Sequence, residues 1–89
     1  MALAQKTDGH LSGGDIEFLM YDTNNGVVTV TVSQEAIEDY AAPRGLSGDT
    51  LSVFNSALAD IIEAADRVYD RAGTNPRRLL VSTRDLNGS

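Results

Sequence analysis

Carboxylates on the longest amphipathic stretch of the chain are the residues whose types and spacing could support chemistry. Asp66 and Asp70 are four residues apart and Glu63 and Asp70 are seven apart, so a helix would place them on one surface. Carboxylates grouped in this way can act in general acid–base catalysis or bind a divalent cation. Arg67 and Arg71 stand among them, however, and mixed charge of this kind is typical of a solvent-exposed helix face. We therefore interpret the group as a solvated surface and expect no metal site.

Other catalytic arrangements lack essential residues. The chain contains no cysteine, and its one histidine, His10, lies in a polar, glycine-containing stretch with no second ligand at metal spacing. Ser12-Gly13-Gly14 precedes a predicted strand rather than a helix and lacks the lysine of a phosphate-binding loop. We expect neither an enzyme nor a bound cofactor.

The charges are unevenly distributed along the chain. A net charge of −6 argues against a general attraction to nucleic acid or anionic lipid. Positive charge is nevertheless concentrated near the C-terminus, at Arg67, Arg71, Arg77, Arg78 and Arg84. These arginines either neutralise carboxylates of the first two thirds of the chain or form an anion- or RNA-binding patch. The first interpretation is favoured because no aromatic residues are interleaved to stack on bases.

The elements that position these residues are organised around residues 46–73, the one long amphipathic stretch. At the period of a helix its apolar side chains fall into one stripe, as a helix lying on a core requires. The stripe consists of Leu51, Phe54, Leu58, Ile61, Ala65, Val68 and Ala72. Ser47 is the predicted N-cap, with Asp49 as the alternative if the helix begins two residues later, and Gly73 closes the helix. We expect one helix over about residues 48–72.

Two alternating segments precede this helix and predict a β-hairpin. Residues 15–21 and 27–32 each alternate in hydrophobicity, which is the period of a strand. Asn25-Gly26 between them is a strong hairpin signal. We expect the two strands to pair antiparallel, with the inner face formed by Phe18, Met20, Val28 and Val30.

A short helix and a third strand complete the predicted elements. Ser33 is a good N-cap for a helix that Pro43 would end. The apolar run over residues 78–83 predicts the strand, with Leu79 and Val81 facing the helices and Leu80 the other side, or the reverse.

The predicted fold class is α+β, in the order β-β-α-α-β. Residues 15–86 form a single domain whose small antiparallel sheet of three strands carries a short and a long helix on one face. Residues 1–14 are expected to be a flexible N-terminal arm, with a fourth, edge strand near residues 2–6 as the alternative, and residues 87–89 a frayed C-terminus.

The order and spacing of several segments resemble a known family. IEFLMYD, VTVSQEAIEDY, IIEAADRVYDRAG and LLVSTRDL, with Phe54 before the third, are similar to the DUF1488-like family of short bacterial proteins, catalogued as a domain of unknown function. The resemblance covers roughly residues 15–86. It implies a small α+β domain with a meandering sheet and a long helix, and in some members a firmer first strand. It brings no reaction, ligand or functional residue.

These features predict a non-enzymatic interaction or regulatory module. Leu19, Tyr21 and Leu80 belong to the sheet face that the helices cannot cover, so we expect a homodimer through this face or through an edge strand. The working surface is either this face or the acidic helix face. The rival hypothesis is RNA or anion binding by the five arginines. A cytoplasmic location is expected, because the sequence has neither an apolar run near the roughly 20 residues required to cross a bilayer nor a signal-peptide core at its start.

Overall fold

The computed structural model is an α+β structure in which helices cover one face of a mixed β-sheet. It describes residues 4–5, 7–22, 26–72 and 77–87. The elements are, in chain order, β1 (Ala4–Gln5), β2 (His10–Ser12), β3 (Asp15–Tyr21), β4 (Val27–Val32), α1 (Gln34–Arg44), α2 (Thr50–Ser56), α3 (Leu58–Ala72), β5 (Arg78–Val81) and α4 (Thr83–Asn87). None of the helices in these ranges is both long and apolar enough to span a membrane.

Strands β3 and β4 form the predicted antiparallel hairpin. Their register runs from Ile16 opposite Val32 to Tyr21 opposite Val27, so five residues connect the strands. Asp22 closes this connection, because its N–H donates to the Gly26 carbonyl at 2.9 Å and its Oδ1 accepts from the Gly26 N–H at 2.7 Å. Asn25, on which the hairpin prediction partly rested, lies outside the described residues.

The prediction of an antiparallel sheet is wrong for the last strand. β5 pairs with β4 in parallel, with Val30 opposite Leu79 and Val32 opposite Val81. The helices α1 to α3 separate these two strands in the chain and form the crossover that a parallel pair needs. The sheet therefore has the order β1-β3-β4-β5 and is mixed.

The N-terminal segment is part of the sheet, which corrects the prediction of a flexible arm. β1 confirms the alternative of an edge strand near residues 2–6, and β2 is a second strand on the same edge of β3. Between them the Thr7 Oγ1 accepts a hydrogen bond from the Leu19 N–H at 2.9 Å. Pairing with the edge of β3 therefore gives a defined structure to parts of residues 1–14, although their polar composition predicts a flexible arm.

The long helix predicted over residues 48–72 is divided in two. Asp49 is the N-cap of α2 and accepts from the Ser52 N–H at 2.8 Å, as the later of the two predicted starts requires. Ala57, with φ −96° and ψ 4°, ends α2, and α3 begins at the next residue. No glycine or proline marks this position, so the break depends on how the two segments pack on the sheet. Gly73, the predicted end of the helix, lies outside the described residues.

The first helix begins as predicted but ends later. Ser33 Oγ accepts from the Ala36 N–H at 3.1 Å. Pro43 lies inside α1 rather than ending it, because Gly45 adopts the left-handed conformation, with φ 66°, that closes the last turn. The N–H groups of Gly45 and Leu46 donate to the carbonyls of Ala42 and Ala41, respectively.

One hydrophobic core lies between the sheet and the helices. The rings of Phe18 on β3 and Phe54 on α2 meet edge to face with centroids 5.4 Å apart, and neither ring is exposed. Ile61 of the predicted stripe is also buried, while Leu58 and Val68 pack at the margin of the core. Buried strand residues complete the inner layer, namely Ile16, Met20, Val28, Val30, Val32, Leu79 and Val81. The inner face predicted for the sheet is confirmed.

A fourth helix, which the sequence analysis did not predict, follows β5 and includes Asn87, the first residue of the predicted frayed end. Its residue Leu86 is buried, and the Asn87 Nδ2 donates to the Ala36 carbonyl at 3.2 Å. The prediction of fraying from residue 87 is therefore corrected for Asn87, which α1 holds in place. Residues 88 and 89 lie outside the described residues.

Gly9 provides a test of whether the N-terminal segment is bound to the core. A methyl group at this position would overlap the Phe54 Cε2 and lie 2.9 Å from the Ile16 Cγ2. We expect Gly9→Ala to lower the free energy of unfolding by about 1–3 kcal/mol, because the fully buried Phe54 ring cannot move aside. Urea unfolding monitored by circular dichroism measures this. Ser12→Ala, at an exposed position of β2, is the control, and equal stability of the two variants would show that the segment does not pack on the core.

Candidate interaction surface

The sheet face opposite the helices carries the residues that the sequence singled out for association. Alternation along each strand directs one set of side chains away from the core. We define the outer sheet face as Glu17, Leu19, Tyr21, Val27, Thr29, Thr31, Arg78 and Leu80. The structure thus brings together Leu19, Tyr21 and Leu80, the three residues predicted for a dimer surface.

Apolar groups occupy a large share of the outer sheet face. Leu80 exposes 58% of its surface, Val27 40% and Tyr21 38%. Tyr21 and Val27 are directly opposite each other on β3 and β4, and the half-buried Leu19 follows on β3. Sequence reasoning missed Val27, although the alternation that places Val28 inside already places Val27 outside.

Glu17 is the centre of the polar part of the outer sheet face. Its Oε2 lies 3.4 Å from the Arg78 Nη2 and 3.5 Å from the Thr31 Oγ1. Its Oε1 lies 3.7 Å from the Nε2 of His10, the residue opposite it on β2. One carboxylate therefore contacts groups on three neighbouring strands. The positive charge of the Arg78 guanidinium offsets the negative charge of Glu17 within the same face.

The remaining acidic residues are concentrated on the helices. The exposed carboxylates of α1 and α3 are Glu35, Glu38, Asp39, Asp60, Glu63 and Asp70. On the sheet side, Asp15 at the start of β3 accepts a hydrogen bond from the Gln34 N–H at 2.9 Å. The molecule therefore has an acidic helix layer and an outer sheet face that is close to neutral.

The five C-terminal arginines do not form one surface. Arg78 lies on the outer sheet face, whereas Arg67 and Arg71 lie where α3 contacts α4. Arg67 is also within 3.5 Å of Glu63, the i,i+4 partner. Arg77 and Arg84 are exposed. Three of the five thus pair with carboxylates. Two of these pairs, with Glu63 and Glu17, involve the first two thirds of the chain as predicted, whereas Arg71 pairs with Asp85 near the C-terminus.

Asp85 connects α4 to α3 through side-chain hydrogen bonds. Its Oδ1 accepts from the Arg71 Nη2 at 2.8 Å, while its Oδ2 accepts from the Ser82 N–H at 3.2 Å and from the Ser82 hydroxyl at 2.9 Å. Ser82 and Asp85 are three residues apart and form a capping box at the start of α4. Arg67 adds a hydrogen bond to the Asp85 carbonyl at 2.9 Å. The Ser-x-x-Asp spacing was a signal in the sequence that could have predicted this helix.

The contacts of Asp85 also change its protonation. Burial by itself would raise the pKa of the carboxyl, but the hydrogen bonds from Arg71 and Ser82 outweigh burial and hold the pKa below its usual range. The folded state therefore favours the ionised carboxylate. We therefore expect the stability of α4 to depend on pH.

The structure also places the other residues that the sequence considered for chemistry. No group of three or more histidine, aspartate or glutamate side chains within them could hold a metal ion. His10 is exposed on β2, as expected for a solvated histidine.

Comparison with models of known families, with curated proteins and with solved structures finds no match. The DUF1488-like resemblance therefore stays a prediction.

The pH dependence of stability tests the role of Asp85. Because its folded-state pKa is depressed, its contribution is present above the unfolded pKa of about 3.9 and is lost as the pH falls through the folded-state value. We expect Asp85→Asn, which keeps a capping oxygen but removes the charge, to be less stable than the natural chain by about 1–2 kcal/mol near neutral pH. The difference should shrink in urea titrations at about pH 3. A difference that stays constant with pH would contradict this assignment.

Proposed function

We propose that the chain is a non-enzymatic protein-interaction module that forms a homodimer through the outer sheet face. The observation that carries this proposal is the exposure of Tyr21, Val27 and Leu80 on a face that the helices leave uncovered. Tyr21 and Val27 form an apolar pair at one end of this face, and Leu80 lies beside Thr31 nearer the other end. Exposed apolar surface marks interaction sites in many proteins. The bacterial origin implied by the DUF1488-like resemblance and the cytoplasmic location expected from the sequence belong to the same proposal.

Charge favours a second copy of the chain as the partner on this face. Two molecules of net charge −6 repel each other, and the repulsion is strongest between their acidic helix layers. On the outer sheet face, Glu17 lies 3.4 Å from Arg78, so two such faces can approach with little repulsion. A two-fold arrangement uses the same patch on both molecules and could also place Arg78 of one near Glu17 of the other.

The size of the outer sheet face indicates how tight such a dimer can be. Strand spacing and rise give a face of about 20 Å by 20 Å, near half of the roughly 800 Å² per partner in a standard interface. A dimer built on this face alone would therefore be weak and reversible. Regulation by concentration or by a competing partner suits such an interface.

The arginine hypothesis has less support. RNA or anion binding would need several cations on one surface without carboxylate partners. Arg67, Arg71 and Arg78 each lie within salt-bridge distance of a carboxylate, and Arg78 is on a different surface from the other two. We therefore retain protein interaction as the proposed function.

Sedimentation velocity with matched lysine variants tests the dimer. Between about 10 μM and 1 mM we expect the natural chain to shift from monomer towards dimer, the range expected of a weak interface. Leu80→Lys should shift the dissociation constant upwards by about tenfold or more, because it buries an uncompensated charge. Leu11→Lys is the control, since Leu11 is 59% exposed against 58% for Leu80 but pairs with the inward-facing Ile16.

Two outcomes would overturn the proposal. A natural chain that remains monomeric at about 1 mM would remove the dimer at any useful affinity. Equal loss of association in the Leu11 and Leu80 variants would mean that the contact surface is not the outer sheet face. Circular dichroism spectra of both variants check that the fold is retained.

A further inference from the structure

A groove of about 430 Å³ opens in the helix layer, where α1, α2 and the loop joining them meet. Polar and apolar groups share its lining, and the apolar part, which we call the floor, has side chains from both helices and from the loop. These are Ile37, Ala41, Leu46 and Val53. A volume of this order is within the range of sites that bind small ligands or individual side chains of a partner. The groove and the outer sheet face lie on opposite sides of the sheet.

Backbone geometry keeps the groove open. Gly48 has φ 122°, a conformation that side chains rarely adopt, and Gly45 has φ 66°. The Leu46 N–H donates to the Ala41 carbonyl at 3.1 Å, so the loop is joined to the end of α1. Leu46 remains 37% exposed at the mouth. The path of the loop beside the groove therefore depends on glycine at both positions.

The charged residues that line the groove are both acidic. Glu38 is on α1, and its Oε2 accepts from the Gln34 Nε2 at 3.1 Å. Asp49 is at the start of α2, and hydrogen bonds from Ser52, the backbone N–H first, lower the pKa of its carboxyl, so it is ionised at neutral pH. Neither contact supplies a positive charge to offset these carboxylates.

Arg44, in the last turn of α1, contacts Tyr40 rather than the groove. Arg44 donates from its Nη1 to the Tyr40 carbonyl at 3.0 Å, and its guanidinium lies 3.8 Å from the centre of the Tyr40 ring. Tyr40 in turn donates from its hydroxyl to Asp60 at 2.6 Å. Arg44 is not among the residues that line the groove. The groove therefore combines an apolar floor with two carboxylates and no arginine in its lining.

We propose that this groove binds a segment of a partner protein in which an aliphatic side chain adjoins a lysine or arginine. The aliphatic side chain would pack against Ala41 and Leu46, above the buried Ile37 and Val53, and the cation would lie near Glu38 and Asp49. The two carboxylates favour a cation electrostatically, while the apolar floor removes hydrocarbon from water. A neutral apolar peptide can contact the floor but gains nothing from the two carboxylates. Charge therefore provides the specificity for a cationic segment.

Chemical-shift mapping with short capped peptides tests the proposal. The ¹⁵N-labelled chain is titrated with acetyl-Leu-Arg-amide and, as the matched neutral peptide, with acetyl-Leu-Gln-amide. We expect the arginine peptide to bind in the millimolar range, to shift the amides around Ile37, Ala41 and Val53, and to bind at least about threefold tighter than the neutral peptide. Raising the salt concentration should reduce this difference, because the acidic residues are at the surface.

Variants of the two carboxylates separate charge from structure. Glu38→Gln keeps an acceptor for Gln34, and Asp49→Asn keeps a good N-cap residue, so the double variant removes two charges while preserving both contacts. Glu35→Gln is the control, because it removes a charge from an exposed position of α1 outside the groove. Ala42→Phe, at an exposed lining position, fills the groove without changing charge. We expect the double variant to bind the two peptides equally and the Ala42 variant to bind neither.

Each outcome of these titrations decides the proposal. The proposal is supported if Glu35→Gln still binds the arginine peptide more tightly than the neutral peptide and the double variant does not. Equal binding of both peptides by the natural chain, shifts that map outside the groove, or unchanged binding by Ala42→Phe overturns it. Binding of N-butylguanidinium as tightly as the arginine peptide would also overturn it, because the site would then recognise a small cation without a peptide. The amide spectra without ligand verify that each variant is folded.

Discussion

The contact between Phe18 and Phe54 is the interaction on which the rest of the structure depends. It joins β3, the first strand of the hairpin, to α2 in the helix layer, and both rings are excluded from solvent. An edge-to-face pair contributes about 0.5–1.5 kcal/mol beyond the burial of its area. Gly9 passes so close to Phe54 that the N-terminal segment also depends on this ring. A chain of 89 residues has one modest core, so few contacts can replace it.

Electrostatics divides the molecule into two surfaces with different properties. Acidic side chains on α1 and α3 give the helix layer its negative charge, whereas Glu17 and Arg78 offset each other on the outer sheet face. The arginines that follow residue 66 serve largely to hold elements together, with Arg71 and Asp85 joining α3 to α4. A near-neutral apolar face suits a second copy of the chain, and an acidic groove suits a cationic segment. The two proposed contacts therefore use different surfaces and need not compete.

Local signals predicted much of the fold. Alternation placed Phe18, Met20, Val28 and Val30 inside, and the short-range capping preference of Ser33 marked the start of α1 correctly. Alternation also separated Leu79 and Val81 from Leu80, but it left open which set faces the helices. Strand period therefore predicted that Leu19 and Tyr21 share a face, whereas the pairing of β5 with β4 decided that Leu80 joins them. The Ser82–Asp85 capping box was equally local and could have predicted α4.

Side-chain periodicity and capping are properties of the sequence by itself, and they determined which residues are inside, where helices begin and which sheet face is left open. The parallel pairing of β5, the break at Ala57, the ordering of residues 10–12 and the groove beside Leu46 were decided only by the tertiary structure. Each of these depends on contacts between segments distant in the chain: a crossover direction, the packing of two helices on one sheet, or the partner offered by the edge of β3. No local pattern carries such information, because period and capping specify how a segment folds but not which other segment it meets.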